Sequence, residues 1–185
     1  SSAIKAISDN IADINVSSIK KALDIANTEV FEKSKTSPEF EGMGTTIAMC
    51  CINGGYAIIA NIGDSRVHII KDGKISFVTR DHSFVQQMID GGQLKKSDAK
   101  THSMKNVITR ALGVAETVSP DFDGITVEKG DAVMICSDGV SNMLEDEAIV
   151  HTVLHNSAKD ASRLLCEAAL EAGGRDDLSA IVIKL

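Results

Sequence analysis

Three short acidic turns carry the chemistry of this sequence: Gly63-Asp64-Ser65-Arg66, Ser137-Asp138-Gly139 and Gly173-Gly174-Arg175-Asp176-Asp177. The first two each follow an apolar run, Tyr56-Ala57-Ile58-Ile59-Ala60-Asn61 and Ala132-Val133-Met134-Ile135-Cys136, that reads as a short buried strand. The third lies between a helical segment and a closing strand over 178–185. Carboxylates gathered at strand ends are hard oxygen ligands, the donor type that divalent cations such as Mg²⁺ and Mn²⁺ take. A glycine beside each Asp lets backbone pass close to whatever is held there. Taken singly, each turn is more simply an Asp satisfying its own backbone. The argument for a cation therefore depends on all three meeting in space.

The elements that would position these turns follow from periodicity. Ile4, Ile7, Ile11 and Ile14 recur at helical spacing, as do Ile19, Leu23, Ala26, Val30 and Phe31, with a break expected at Ser17-Ser18. From Thr45 the pattern changes to short apolar runs separated by turns: 45–52, 56–61, 66–70 and 74–79. Asp72-Gly73 between the last two is a strong hairpin signal, and the run as a whole predicts an antiparallel meander. Residues 82–106 are less apolar and contain Gly91-Gly92, Ser97-Asp98 and several lysines, which predicts a flap-like excursion from the sheet with one short helix near 84–89. Strands are predicted again at 107–109, 124–127 and 132–136. Two helices follow, over 145–154 and from the capping signature Ser157-Ala158-Lys159-Asp160 to Gly173-Gly174. Helix pairs bracketing many antiparallel strands predict an α+β fold, a four-layer α/β/β/α sandwich of two antiparallel sheets, in a single domain over 1–185.

Composition narrows the function classes. The 185 residues are 43% hydrophobic, which suits one domain with a sizeable core. A net charge of −7 without a basic block leaves no electrostatic footprint for nucleic acid or anionic lipid. The cysteines Cys50, Cys51, Cys136 and Cys166 have no CxxC spacing and lie mostly in apolar runs, which suits reduced thiols and a cytoplasmic location. No run approaches the length of a membrane span, and the first residues do not read as a signal peptide, so neither export nor insertion is expected.

Taken in order, Gly42-Met43-Gly44-Thr45-Thr46, Ala60-Asn61-Ile62-Gly63-Asp64-Ser65-Arg66, Thr79-Arg80-Asp81-His82-Ser83, Ile108-Thr109-Arg110-Ala111-Leu112-Gly113, Cys136-Ser137-Asp138-Gly139-Val140 and Gly174-Arg175-Asp176-Asp177 resemble the bacterial metal-dependent serine/threonine phosphatases of the protein phosphatase 2C (PPM) family. Each motif alone is weak, but six in the same order are specific, and they span 41–185. The family fold, two antiparallel sheets flanked by helix pairs, agrees with the layering read from periodicity.

The resemblance implies two Mn²⁺ or Mg²⁺ ions, with a third in some bacterial members, and in-line attack of a metal-bridging water on phosphoserine or phosphothreonine. It implies Asp138 and Asp176 as ligands of one ion and as the catalytic carboxylates, with Asp64 helping Asp138 to hold a further metal. Asp177, Ser137, Gly139 and Gly174 would lie around these ligands. Ser65 and Arg66 are expected to support their turn rather than touch substrate, and His82, a lone histidine, to be structural. Partners implied are phosphorylated proteins and a cognate Ser/Thr kinase, with a monomer as the complete form.

Two departures stand out. The family motif usually ends Asp-Asn where this chain has Asp176-Asp177, an added negative charge. Family members also open with a segment bearing a phosphate-binding Arg, an acidic pair and a metal-bridging Asp-Gly-Met-Gly-Gly turn, none of which appears before Ser1-Ser2-Ala3-Ile4. On that reading the domain is N-terminally incomplete, weak or inactive by itself, and prone to association through exposed sheet edges. Two alternatives follow: a pseudophosphatase or regulatory binding module of the same fold, and a switch phosphatase acting on an anti-sigma-factor antagonist.

Other candidates carry less. His151 and His155 are spaced i, i+4 as in zinc sites but lack the HExxH glutamate, so a solvated helix face is the expectation. The Gly42-Met43-Gly44 run lacks the ending of a nucleotide-binding loop. The six methionines are scattered and read as core or flap filling.

Overall fold

The structure, a computed structural model, describes residues 2–11, 13–174 and 176–185, so Arg175 of the third acidic turn lies outside the described residues. Helices α1 (Ser2–Asn10) and α2 (Val16–Ser34) open the chain. The expected break at Ser17-Ser18 falls earlier in the chain. Asn15 is the N-cap of α2, its side chain accepting from the Ser18 N–H at 2.9 Å, so both serines lie in the first helical turn. The Ile19, Leu23, Ala26 and Val30 spacing then presents one buried stripe, in which Ile19 and Leu23 are fully enclosed. Each such side chain contributes about 1.5–3 kcal/mol.

Strands β1 (Ile47–Asn53), β2 (Tyr56–Ile62) and β5 (Asp121–Thr126) form one antiparallel sheet in the order β1-β2-β5. Strands β3 (Arg66–Lys71), β4 (Lys74–Val78), β6 (Ala132–Cys136) and β7 (Ala180–Lys184) form the other, ordered β4-β3-β6-β7. The expected meander is therefore two hairpins in different sheets. Both signalled turns form: Gly54-Gly55 joins β1 to β2, and Asp72-Gly73, both at positive φ, joins β3 to β4. Between the hairpins the chain crosses from one sheet to the other at residues 63–65. The strand expected at 107–109 reduces to a single bridge between Ser83 and Ile108.

The layers stack as the periodicity predicted. α1 and α2 cover Ile58, Ala60 and Ile62 on the outer face of the first sheet. Ala57, Ile59, Val67, Ile69 and Val133 fill the space between the sheets. Helices α6 (Asp146–His155) and α7 (Ala158–Glu171), with the single turn α5 (Asp138–Ser141), cover Ile70, Ala132, Met134 and Cys136 on the far face. β2 and β3 are buried on both faces, which explains why their sequences run apolar without alternation. Residues 82–106 carry α3 (Phe84–Asp90) and α4 (Lys96–Ala99) and add no strand to either sheet.

One buried side chain ties the first layer to the loops beside the site. Asn27, 2% exposed, donates to the Ala115 and Glu116 carbonyls at 3.0 Å each and accepts from the Gly113 N–H at 2.7 Å. Asn27→Ala leaves these backbone groups without partners and is expected to cost about 2–3 kcal/mol. In a chain of this size that lowers the melting temperature by roughly 4–12 °C. A calorimetric scan of the variant showing no shift would contradict this assignment.

Candidate metal centre

Sheet register brings the acidic turns to one place. Arg66 at the start of β3 pairs with Cys136 at the end of β6, and Cys136 pairs with Ala180 at the start of β7. Asp64 lies two residues before that row, Asp138 two residues after it, and Asp176 four residues before it. Antiparallel pairing alone therefore collects all three at one end of the second sheet.

The Asp64 turn is held by the segment Thr79 to His82. Gly63 lies at φ +103°, and a Cβ there would fall 2.4 Å from Thr46 Cγ2, so only glycine fits. The Gly63 N–H donates to His82 Nδ1 at 3.0 Å, and the His82 N–H donates to the Gly63 carbonyl at 2.8 Å. Nε2 lies 3.1 Å from Asp121 Oδ2 and 2.9 Å from Arg110 Nη1. Arg110 reaches the other oxygen of Asp121 at 2.6 Å. Burial opposes the charge on Asp121, but these hydrogen bonds from His82 and Arg110 outweigh it and hold the carboxyl below its usual range. His82 is thus buried, with both nitrogens engaged, and is structural. Arg66 forms a bidentate pair with Asp81 at 2.7 and 2.6 Å, and Ser65 Oγ lies 2.9 Å from Thr46 Oγ1, so both support the turn. Asn61 adds bonds to the Gly63 and Arg80 carbonyls. The motifs around 61–66 and 79–83 are two halves of one clamp, a relation that spacing along the chain does not reveal.

A second clamp joins Asp138 to Asp176. Ser137 Oγ donates to the Asp177 carbonyl at 2.9 Å and accepts from the Ser179 N–H at 3.1 Å, while the Ser137 N–H donates to the Ser179 carbonyl. At Gly139 a Cβ would lie 2.9 Å from the Asp177 carbonyl oxygen, so a side chain would push the two loops apart. The Gly174 N–H bonds back to Ala169 and ends α7 just before Asp176. Asp176 Oδ1 accepts from the Asp177 N–H at 2.8 Å, and the Asp177 side chain is exposed. Asn142 Nδ2 approaches Asp138 Oδ2 at 3.4 Å.

The electrostatics record the convergence. Burial first, then the neighbouring Asp138, pushes the Asp64 carboxyl up to about 6. Burial first, then Asp176, raises that of Asp138. Asp138 thus acts on Asp64 and is itself acted on by Asp176. It borders two recesses accordingly: a cleft of about 280 Å³ shared with Asp64, and a more open one of about 470 Å³ shared with Asp176. Hard oxygen donors in mutual repulsion suit a divalent cation, yet among the described residues no three His, Cys, Asp or Glu side chains form a group that could hold a metal. That holds for His151 and His155 too, whose rings stack at 4.4 Å on α6.

Without cations the repulsion should be measurable. Folded Asp64 holds its proton more tightly than the unfolded chain does, so raising the pH from about 4 through about 6 ionises it against its surroundings and lowers stability. Asp64→Asn is therefore expected to melt higher than wild type in chelator at pH 7.5, by roughly 2–4 °C after allowing for solvent screening of a half-buried group. The difference should fade as the pH drops from 6 towards 4. A gap independent of pH, or of opposite sign, would contradict it.

Known proteins resemble this chain along most of its length. Residues 7–178 match the family described as protein phosphatase 2C. The chain is 32% identical over 164 residues to the protein phosphatase PhpP of Streptococcus pneumoniae, covering 88% of this chain and 66% of PhpP. It is 31% identical over 161 residues to the serine/threonine protein phosphatase PstP of Mycobacterium tuberculosis, covering 87% of this chain and 31% of PstP. It therefore spans less than two thirds of the length of these curated relatives. A crystal structure of the Mycobacterium tuberculosis phosphatase PstP/Ppp superposes with a TM-score of 0.91 at 28% identity, covering 99% of this chain and 79% of that one. The catalytic domain of PstP in complex with two manganese ions gives 0.85 at 28% identity, covering 97% of this chain and 76% of that one. With the family match extending over nearly its whole length, this chain belongs to the protein phosphatase 2C family.

Proposed function

We propose that this chain serves metal-dependent hydrolysis of phosphoserine and phosphothreonine in proteins, reversing a bacterial Ser/Thr kinase. The observation that carries this reading is the gathering of the Asp64, Asp138 and Asp176 turns at one sheet end, each held by dedicated hydrogen bonds. Similarity to PhpP and PstP supports it.

Asp138 and Asp176 would hold one Mn²⁺ or Mg²⁺, and Asp64 with Asp138 another. Bound there, divalent cations supply a nucleophile from water at neutral pH and offset the charge of the phosphoryl oxygens. The chain's own residues supply position. The Ser137 clamp and the narrow Gly139 contact keep Asp138 and Asp176 facing one space. The His82 and Arg66 clamps do the same for Asp64. Geometry held in advance avoids reorganisation when charge develops. His82, buried with both ring nitrogens engaged, positions the Asp64 turn.

Phosphorylated proteins and the kinase that modifies them are the proposed partners. The cytoplasm is the proposed compartment, supported by four free cysteines and by burial that raises the Cys50 and Cys136 thiols to about 11. Among the described residues no helix is long and apolar enough to cross a membrane. One observation favours a second reading, a regulatory module of the same fold that does not turn over substrate: the described side chains close no three-ligand group.

Asp138→Asn separates the two readings. If Asp138 holds metal, Mn²⁺ stabilises wild type against heat but not the variant, because only the folded wild-type site binds the ion. Hydrolysis of a phosphothreonine peptide by the chain then falls at least about 100-fold in the variant, the loss of roughly 3 kcal/mol expected for one preorganised electrostatic group. Mn²⁺ binding that survives Asp138→Asn would sink the ligand assignment. Mn²⁺ binding with no turnover by the full-length wild-type protein would favour the regulatory module.

A further inference from the structure

We propose that Lys96 and Lys105 are substrate-recognition residues, and that the cleft they share with Asp64 and Asp138 takes phosphoserine or phosphothreonine segments flanked by acidic side chains. This rests on the phosphatase reading and adds to it a substrate preference and the residues that set it.

The cleft has two walls of opposite charge. Asp64 and Asp138 lie on the sheet side, and Lys96, Lys100 and Lys105, all from the segment 82–106, line the other. The chain as a whole carries a net charge of −7, so lysines converging on one cleft run against its overall field. Their availability differs. Lys100 is committed to Glu145, the N-cap of α6, at 2.6 Å. Among the described residues neither Lys96 nor Lys105 forms an ion pair, and both are exposed.

Position divides their roles. Lys105 borders both recesses that meet at Asp138, the cleft with Asp64 and the one with Asp176. An anion bound in that space would therefore have Lys105 at its border. Its backbone is anchored. The Lys105 N–H bonds to His102 at 3.2 Å, and the Ser83–Ile108 bridge and the Thr109 N–H to His82 carbonyl bond, 2.8 Å, follow within four residues. Lys105 is thus registered against the same His82 that holds the Asp64 turn. Lys96 borders only the cleft shared with Asp64, where it would meet chain flanking a phosphorylated residue. A compact ammonium with three donors fits the phosphoryl oxygens at Lys105 and a carboxylate at Lys96.

Binding can be read without turnover using phosphonate analogues of a phosphothreonine peptide, one flanked by glutamates and one by lysines. Fluorescence anisotropy with Mn²⁺ at low salt should show the glutamate-flanked peptide binding about 10-fold tighter, with the preference shrinking as salt rises. Lys96→Ala should abolish the preference. Lys105→Ala should weaken both peptides by about 5- to 10-fold, the effect of losing one charge-assisted hydrogen bond partly screened by water. Lys159→Ala, outside the cleft on α7, should change neither, and matching melting temperatures would show that the variants fold. Equal affinity for the two peptides, or unchanged binding in both cleft variants, overturns the proposal. Hydrolysis of p-nitrophenyl phosphate by the full-length protein tests the phosphatase reading separately. Flank-dependent binding without hydrolysis would refute that reading and leave the lysine wall in place, whereas hydrolysis with flank-independent binding would refute the wall alone.

Discussion

Carboxylates repel one another, and the end of the second sheet brings three acidic turns together. Asp64 shows the strain most directly, with its carboxyl pushed up to about 6 by burial and by Asp138. Set against this are contacts made by neighbouring groups rather than by the carboxylates themselves: the Arg66–Asp81 pair, the reciprocal Gly63–His82 bonds and the threefold use of Ser137. A site that is costly without its ligand is the usual form of a cation site, since the bound ion converts repulsion into attraction.

These clamps work because the layers behind them are rigid. The two central strands are buried on both faces, and three apolar layers separate the four layers of the sandwich. A sheet packed this closely has little freedom to shift register, so the row Arg66, Cys136, Ala180 is a dependable ruler for the turns attached to it. Residues 82–106 stand outside that rigidity. They are joined to it at His82, at Thr109 and through the exposed Lys100–Glu145 pair, so one wall of the cleft is built on the core and the other on an excursion from it.

Much of this was legible in advance. Glycine-bearing hairpins, helical stripes and short apolar runs each report a local preference, and local preference decided most elements: the Asp72-Gly73 turn, the Ile19 to Val30 stripe and the Ser157 cap all formed where expected. Errors arose where a neighbour in space decides. Ser17-Ser18 reads as a break by composition, but the Asn15 cap extends the helix through it. Residues 107–109 look like a strand, but only Ser83 is there to pair with Ile108. The meander divided because nothing in alternation says which sheet a hairpin joins.

The sequence by itself determined the donors, their turn chemistry and the layer pattern, because these depend on residue type and on periods of two or 3.6 residues. It also contained the Thr79-Arg80-Asp81-His82 motif without revealing its purpose. Only the tertiary structure decided that His82 and Asp81 serve Gly63 and Arg66, and that Ser137 serves the Asp177 loop. Each of these contacts joins residues from 15 to 40 positions apart. The physical reason is that a hydrogen bond or ion pair acts over a few ångströms of space. Spatial proximity across a sheet end is set by register and layering, which no single segment carries alone.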